Sequence, residues 1–485
     1  MKKRIIILLV LIAVIFVSFY IFRNKQPTSF RLEELKEVHY SQDITLHWQK
    51  SQSYKNIKYK ILYGMDALLK DTSVIVIENI TDTFCALTNL RKGEYYWRVF
   101  ASDGKNEIVN DSTKNSFEIV PLEQLILTKD TYLLKKDSPH YIDKVWIIKK
   151  GVTLNIEAGC KLLLAEGVNI INYGNVFAKG TSKDSIWFVP QKYTWGEIYS
   201  HEHECNLEFD YCYFKDGLFR STYANITFSN CRYIFHHKSL YQDGIRTAIL
   251  WSYRGRFLMD SCYFENKLVT AGEGMTIEQA QTSITNSVFC RMADAVEFLN
   301  VRQGEIRGNI IIDSPDDAID MNGCSNILIE NNILANNNDK AVSVGTEQYG
   351  PSYNIRIKNN FMIKNNCGVS VKDSSFCTIE NNSFVNNRVA LDAHLKNNWK
   401  QYSLGGNTKV SHSLFYDNRN LFKLDSSSIL QISYSLSNDE EIKGKGNRVE
   451  DIIFKDESLN NYNSQFSEGA NISLRLINKY NELKR

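Results

Sequence analysis

Excess charge of one sign is what this chain most plainly lacks. Lys and Arg total 57 against 55 Asp and Glu, a formal net charge of +2 in 485 residues. No basic block interleaved with aromatics stands out, so the electrostatic footprint of a nucleic-acid binder is missing. There are ten cysteines but no C-x-x-C pair, which argues against a zinc or redox motif. Proline is scarce, six residues, while Tyr, Phe, Ile and Asn are plentiful. That balance leans towards β-structure with polar turns. Hydrophobic residues at 43% and charged residues at 23% are ordinary for a globular protein. The length exceeds one ordinary domain.

The one long apolar run lies at the start. Lys2, Lys3 and Arg4 precede 18 uncharged residues, Ile5 to Phe22, about enough to cross a bilayer as a helix. No Ala-x-Ala-like cleavage site follows, and no cysteine that could carry a lipid. The run is read as an uncleaved signal anchor over residues 1–26, a cleaved signal peptide being the alternative. Either way the bulk of the chain is exported, to a bacterial periplasm or cell surface. Export permits disulfides.

Residues 27–120 hold short alternating runs: "ITLHWQ" (44–49), "YKILYG" (59–64), "SVIVIE" (73–78), "EYYWRVFAS" (94–102) and "NSFEIV" (115–120). They predict a small antiparallel sandwich. Trp48, Tyr63 and "LRKGEYYWRVFASDG" (90–104) resemble a fibronectin type III module. The resemblance implies a core Trp48, a tyrosine-corner hydrogen bond from Tyr95, and a spacer or docking role. No catalytic constellation is visible in it.

From about residue 121 helical periodicity is absent and a repeat takes over. Its units begin at "NCRYIF" (230), "SCYFEN" (261), "NSVFCR" (286), "NIIIDS" (309), "NILANN" (332), "NFMIKN" (360), "NSFVNN" (382) and "HSLFYD" (412). A near-constant period with extra residues absorbed in loops means a solenoid. The expected form is a right-handed parallel β-helix over 121–455, followed by a cap or tail over 456–485. Asn230, Asn286, Asn309, Asn332, Asn360 and Asn382, with Ser261 and His412 as substitutes, are placed in one ladder. Asn suits it by tolerating left-handed turns and by stacking its amide. Cys212, Cys231 and Cys262 fall beside that ladder, as a buried thiol stack or as disulfide partners.

The segments "GVTLNIEAGCKLLLAEG…GNVFAKGT" (151–181) and the "NN-x-I" coils (331–388) resemble the pectin-lyase-like family of β-helix repeat proteins. That family includes polysaccharide lyases, hydrolases and epimerases, and also non-catalytic adhesins, so fold alone leaves function open. "SPDDAID" (314–320) resembles the paired-aspartate motif of polygalacturonase-like hydrolases. The segment "DKAVSVG" (339–345) falls where those enzymes have a histidine, and here has none. An Asp-Pro-His motif of alginate-type epimerases is absent.

Counting from the ladder puts one set of polar residues on one outer face. Asp317, Asp320, Lys340 and Lys372 are the candidate catalytic residues. Asp294, Asn322, Ser343, Asp392 and His394 are candidates for substrate binding. Glu297, Asp317 and Asp320 could hold Ca²⁺, which takes several oxygens. The expected partner is an acidic polysaccharide or cell-surface glycan, bound along the groove and, if the chain is an enzyme, cleaved there, with lyase chemistry favoured over hydrolysis. If the chain is a lyase, Lys340 or Lys372 is the base. The alternatives are a solvated polar face and a non-catalytic adhesin or scaffold. Asp313 and Asp316 are assigned to turn chemistry. His201, His203, His236 and His237 are read as loop histidines, the alternative for His201 and His203 ("HEH") being a metal site.

Overall fold

The computed structural model describes residues 26–483, apart from 34, 36, 41, 54–55, 112–114, 202–204, 237–247, 268–272, 397–401, 439–441 and 452–467. The expected anchor, His203 and His237 lie outside the described residues. No helix among the described residues is long and apolar enough to cross a membrane. The chain divides into two compact units after Glu123.

In the first unit, Val38–His39, Ser116–Ile119, Gly93–Ser102, Lys58–Gly64 and Ile75–Ile80 form one sheet in that order, and Glu107–Val109 pairs with Gly93–Ser102. Ile44–His47 pairs antiparallel with Phe84–Leu87 in a second. Alternation puts Leu46, Trp48, Ile61, Trp97, Val99 and Phe117 in a shared core. The Arg91 N–H donates to the Tyr95 hydroxyl at 3.0 Å.

The second unit is a right-handed parallel β-helix. Each coil contributes one strand to each of three sheets, as in Val296–Leu299 (first sheet), Gly304–Arg307 (second) and Ile310–Ile312 (third). Parallel pairing keeps each residue above its counterpart, so columns of like side chains form. Inside, Phe188, Phe214, Tyr233, Phe264 and Phe289 stack in one such column.

The asparagine column separates into two neighbours. Asn230, Ser261, Asn286, Asn331, Asn359, Asn381 and His412 all have left-handed φ, between 49° and 58°. The buried amide ladder is the next residue on: Asn309, Asn332, Asn360 and Asn382. The backbone N–H of each of the first three donates to the amide oxygen one coil further, at 2.8–2.9 Å. Asn230, Ser261, Asn286 and His412 therefore belong to the turn column, and their ladder counterparts are Cys231, Cys262, Ser287 and Ser413. One residue cannot easily supply both the left-handed corner and the inward amide, so adjacent residues share the task. The cysteines are free thiols, and Cys212, Cys231 and Cys262 continue the ladder. A second ladder, Asn337, Asn365, Asn387 and Asn418, closes the other end of each third-sheet strand. Asp313 (φ 58°) is its left-handed corner residue, as the turn assignment expected.

The tail does more than close an end. Gly469 and Ala470 bond to the coils of His412 and Ser383. The helix Leu474–Leu483 then packs Ile477 and Tyr480 on Val288, Ile310, Ile333 and Phe361. These lie on the outer face of the third sheet. That face is apolar because the tail covers it, which overrides the polar-outside alternation expected of a bare coil.

Candidate functional site

The site lies on the outer face of the first sheet. Its strands Val296–Leu299, Ile319–Asn322, Lys340–Gly345, Cys367–Lys372 and Val389–His394 stack in register. Val296, Phe298, Ile319, Met321, Val342, Val344, Val369, Val371, Leu391 and Ala393 point inward and are buried. The alternate residues form columns outside. One runs Glu297, Asp320, Ser343, Ser370, Asp392, Lys423. The next holds Asn322, Gly345, Lys372 and His394. Asp294, Asp317 and Lys340 form a third, at the strand starts.

This face is not a solvated stripe. Glu297, Asp317, Asn322, Ser343, Ser370 and Lys372 are all buried, so their polar atoms must be matched. Lys372 Nζ donates to Ser343 Oγ at 2.8 Å. Asn322 Nδ2 donates to Asp320 Oδ2 at 2.8 Å, while Asp320 Oδ1 is buried without a partner. A Cβ at Gly345 would meet Asn322 Oδ1 at 2.6 Å, so glycine there makes room for the pair. A short loop, Glu347–Tyr349, adds cover, and Tyr349 donates its hydroxyl proton to Glu278 Oε1 at 2.7 Å.

Carboxylates crowd one end. Oxygens of Asp294, Asp316 and Asp317 lie within 4.8 Å of one another. Asp316 is exposed in the bend that the sequence assigned to turn chemistry, and its carboxylate also joins this cluster. Pro315 beside it reads locally as turn chemistry, and only the folded coil aims Asp316 at its neighbours. The set that converges also differs from the Glu297, Asp317, Asp320 trio expected for Ca²⁺.

Crowding raises proton affinity. Burial first, then the charges of Asp320, Asp317, Asp316 and Glu297, push the Asp294 carboxyl up to about 9. Burial, with Glu273 and Asp320, pushes Glu297 up to about 8 against the hydrogen bond from Thr276. Burial and Asp320 raise Asp317 to about 6, with Lys340 holding it from going further. Thr276 Oγ1 lies 2.8 Å from Glu297 Oε2 and 2.9 Å from Glu273 Oε2. A hydroxyl has one proton, so a protonated Glu297 that donates to Thr276 satisfies both contacts.

Lys340 stands between the acids. Its backbone N–H and its ammonium both donate to Asp317 Oδ1, at 2.8 and 3.2 Å, and Nζ also contacts Asp339. Burial would lower its pKa, but Asp317 and Asp339 outweigh that and raise it. A lysine so paired keeps its proton, which disfavours it as a base. Asp392 and His394 pair at the far end, with Nδ1 2.9 Å from Oδ2. Burial opposes ionisation of Asp392, but His394, Ser370 and Lys423 lower its pKa. The structure therefore brings Asp294, Glu297, Asp317, Asp320 and Lys340 into one neighbourhood. Ser343, Lys372, Asp392 and His394 lie further along the same face. Sequence counting missed Thr276, which precedes Glu297 in its column, and Asp339, which follows Asp316 one coil on; Glu273 and Tyr349 come from a corner and a short turn outside the strands.

A family model described as "Periplasmic copper-binding protein (NosD)" matches residues 238–416, which include this face. No curated protein matches the chain. Among solved structures, a mannuronic acid-specific polysaccharide family 6 lyase from human gut microbiota is 12% identical, with TM-score 0.42, over 74% of this chain and 93% of that one. A periplasmic alginate epimerase, AlgG, is 11% identical, with TM-score 0.39, over 64% and 84%. A family 28 exopolygalacturonase of Yersinia enterocolitica is 11% identical, with TM-score 0.27, over 88% and 97%.

Proposed function

We propose that the second unit binds a polysaccharide along the outer face of the first sheet and cleaves it with carboxylates. The observation that carries this is the raised proton affinity of Glu297 beside a second carboxyl group in the same column. Glu297, at about 8, holds a proton at neutral pH, directly beside Asp320 in the same column. A carboxyl that keeps its proton, set next to a second carboxyl group, is the pair that glycosidic-bond cleavage uses. Glu297 is the general acid, giving its proton to the leaving oxygen. Asp320, one coil away and with a buried oxygen free of protein partners, is the second carboxyl of the pair; the coil spacing of about 4.8 Å suits the nucleophile of a retaining enzyme, which forms the glycosyl-enzyme bond as the leaving oxygen takes the Glu297 proton and which water then hydrolyses. Asp317 and Lys340 position the coil between them. The lysine base of a lyase is the less suitable arrangement, because Lys340 is ion-paired.

A cation fits the same cluster. Asp294, Asp316 and Asp317 offer hard oxygen donors, which suit Ca²⁺; bound there, it would neutralise their mutual repulsion. Copper prefers imidazole and sulfur ligands, and the cluster offers neither. The copper of the family description is therefore not carried over to this site.

The test is an assay of the full-length chain on a panel of neutral and acidic polysaccharides, with and without Ca²⁺. Reducing ends report hydrolysis, and unsaturated products would instead report a lyase. Glu297→Gln and Asp320→Asn should each lower turnover by roughly 100-fold or more. Unchanged turnover in both would remove the assignment. Substrate binding with no turnover in the wild type would leave a non-catalytic glycan binder.

For the first unit, we propose a fibronectin type III module serving as spacer or docking unit. The Arg91–Tyr95 hydrogen bond, four residues apart, and the buried Trp48 support it. An anchored, extracytoplasmic placement rests on the apolar run at 5–22 and on the word periplasmic in the family description. Fractionation of cells expressing the full chain tests it: release of the protein by high salt would contradict an anchor.

A further inference from the structure

The turn column between the second and third sheets carries Asn, Ser or His in every coil from Asn230 to His412 except one, where Gly308 stands (φ 68°). The C-terminal segment is fastened to this column on both sides of that gap. Asn359 Nδ2 donates to Asn471 O at 3.0 Å, and the Asn471 N–H donates back to Asn359 Oδ1. Lys479 Nζ donates to Asn286 O at 3.4 Å. Between the two fastenings lies a hollow of about 370 Å³, lined by Arg307, Gly308, Asn331, Asn471, Arg475 and Lys479, among others. No Asp or Glu among the described residues lines it.

Arg475 and Lys479 stand four residues apart on the helix Leu474–Leu483, so they share one face of it. Like charges at that spacing oppose each other and weaken a helix. Among the described residues neither forms an ion pair. The acids nearby are already engaged. Glu305 and Glu330 hold Arg307, at 3.1 and 3.4 Å. Asp260 attracts Arg475 but accepts hydrogen bonds from Ser261, Thr285 and Asn286 at 2.6–2.8 Å. Burial, and then the charge of Arg475, hold the Lys479 ammonium below the usual lysine range, against the pull of Asp260. A half-buried pair of cations therefore faces a hollow that supplies no counter-charge.

We infer that this hollow binds a phosphate- or sulfate-type oxyanion between the C-terminal helix and the turn column. The Arg475 guanidinium offers a planar fork for two of its oxygens, and Lys479 adds a point charge. Asn331 and Asn471 contribute amide donors. At about 370 Å³ the hollow falls at the small end of ligand pockets, with room for the organic body of a monoester. The anion would join the helix to the coils and so fasten the segment that covers the apolar face of the third sheet. The site lies at the corner of the second and third sheets, apart from the carboxylates of the first sheet, and stands independently of the polysaccharide reading.

The experiment is a calorimetric titration of the full-length chain with inorganic phosphate, inorganic sulfate and glycerol 3-phosphate, in chloride buffer of constant ionic strength. At least one should bind saturably at a single site. Arg475→Gln with Lys479→Gln should weaken that binding by at least about tenfold. Gly308→Asn is the second variant. It places in the hollow the side chain that neighbouring coils carry at this column, and Asn tolerates the left-handed turn, so the fold should persist while binding falls. Hydrogen exchange gives the location: the anion should slow exchange in Leu474–Leu483 of the wild type and leave the double variant unchanged. Tighter binding of glycerol 3-phosphate than of inorganic phosphate would mark an organic monoester as the occupant, and the reverse order a free anion; each upholds the site. No saturable binding of any of the three overturns it. So does a folded double variant, or a folded Gly308→Asn variant, that binds as the wild type does.

Discussion

Asp294 is the residue where burial and repulsion act together most strongly. Its carboxyl is pushed up to about 9, against about 3.9 in an unfolded chain. The folded state therefore binds a proton that the unfolded state releases between those values. Stability contributed by this proton is full below pH ~4 and is lost as pH rises towards ~9. Glu297 adds the same trend up to about pH 8. Asp294→Asn removes the ionisable group, so it should raise Tm at pH 8 and flatten the decline of Tm with pH. Thermal melts from pH 5 to 9 check this; a variant that declines as steeply as the wild type contradicts it. The asparagine ladder gives a second prediction. Asn360 accepts from the Asn332 backbone and donates to Asn382 and to Ile329 O, all buried. Asn360→Ala leaves those groups unpaired, at about 1–3 kcal/mol for each lost partner, measurable by urea unfolding. Asp317 and Asp320 were legible in the sequence because strand alternation and the coil register place them. Asp316 was not, since its neighbours spell a turn.

At the scale of elements, the C-terminal helix is the clearest departure from a simple coil stack. The strands Val288–Cys290, Ile310–Ile312 and Ile333–Ala335 are buried on both faces. Their continuous apolar runs were visible in the sequence, but what covered them was not. A covering segment needs no period and sits far away along the chain. Ile477→Ala should cost about 2–5 kcal/mol, and removing residues 468–485 should expose this face and promote association. Light scattering and urea unfolding read both. A truncated chain that stays monomeric and equally stable would contradict the covering role. The double column at each corner teaches a similar lesson. "NN" in "ENN" and "KNN" encodes two neighbouring jobs, one left-handed and one inward. Sequence spacing alone merged them, because Asn serves both.

For the whole molecule, the repeat was readable because parallel stacking demands a fixed circumference, and loops absorb the rest. The composition of the site face was harder to see. Its acids and cations are spread over about 130 residues, from Asp294 to Lys423, and only the coil register brings them into columns. The account then links proton affinity to activity. Asp317 at about 6 and Glu297 at about 8 set the limits. Below ~6 Asp317 protonates and Lys340 loses one of its two carboxylate partners; above ~8 Glu297 loses the proton it must donate. The most direct measurement is the pH–rate profile of polysaccharide cleavage by the full-length chain and by Glu297→Gln. The account predicts a bell between about pH 6 and 8, with the Gln variant reduced by roughly 100-fold or more and its alkaline limb gone. Turnover that keeps rising past pH 9, or a Glu297→Gln variant with the wild-type profile, would contradict it.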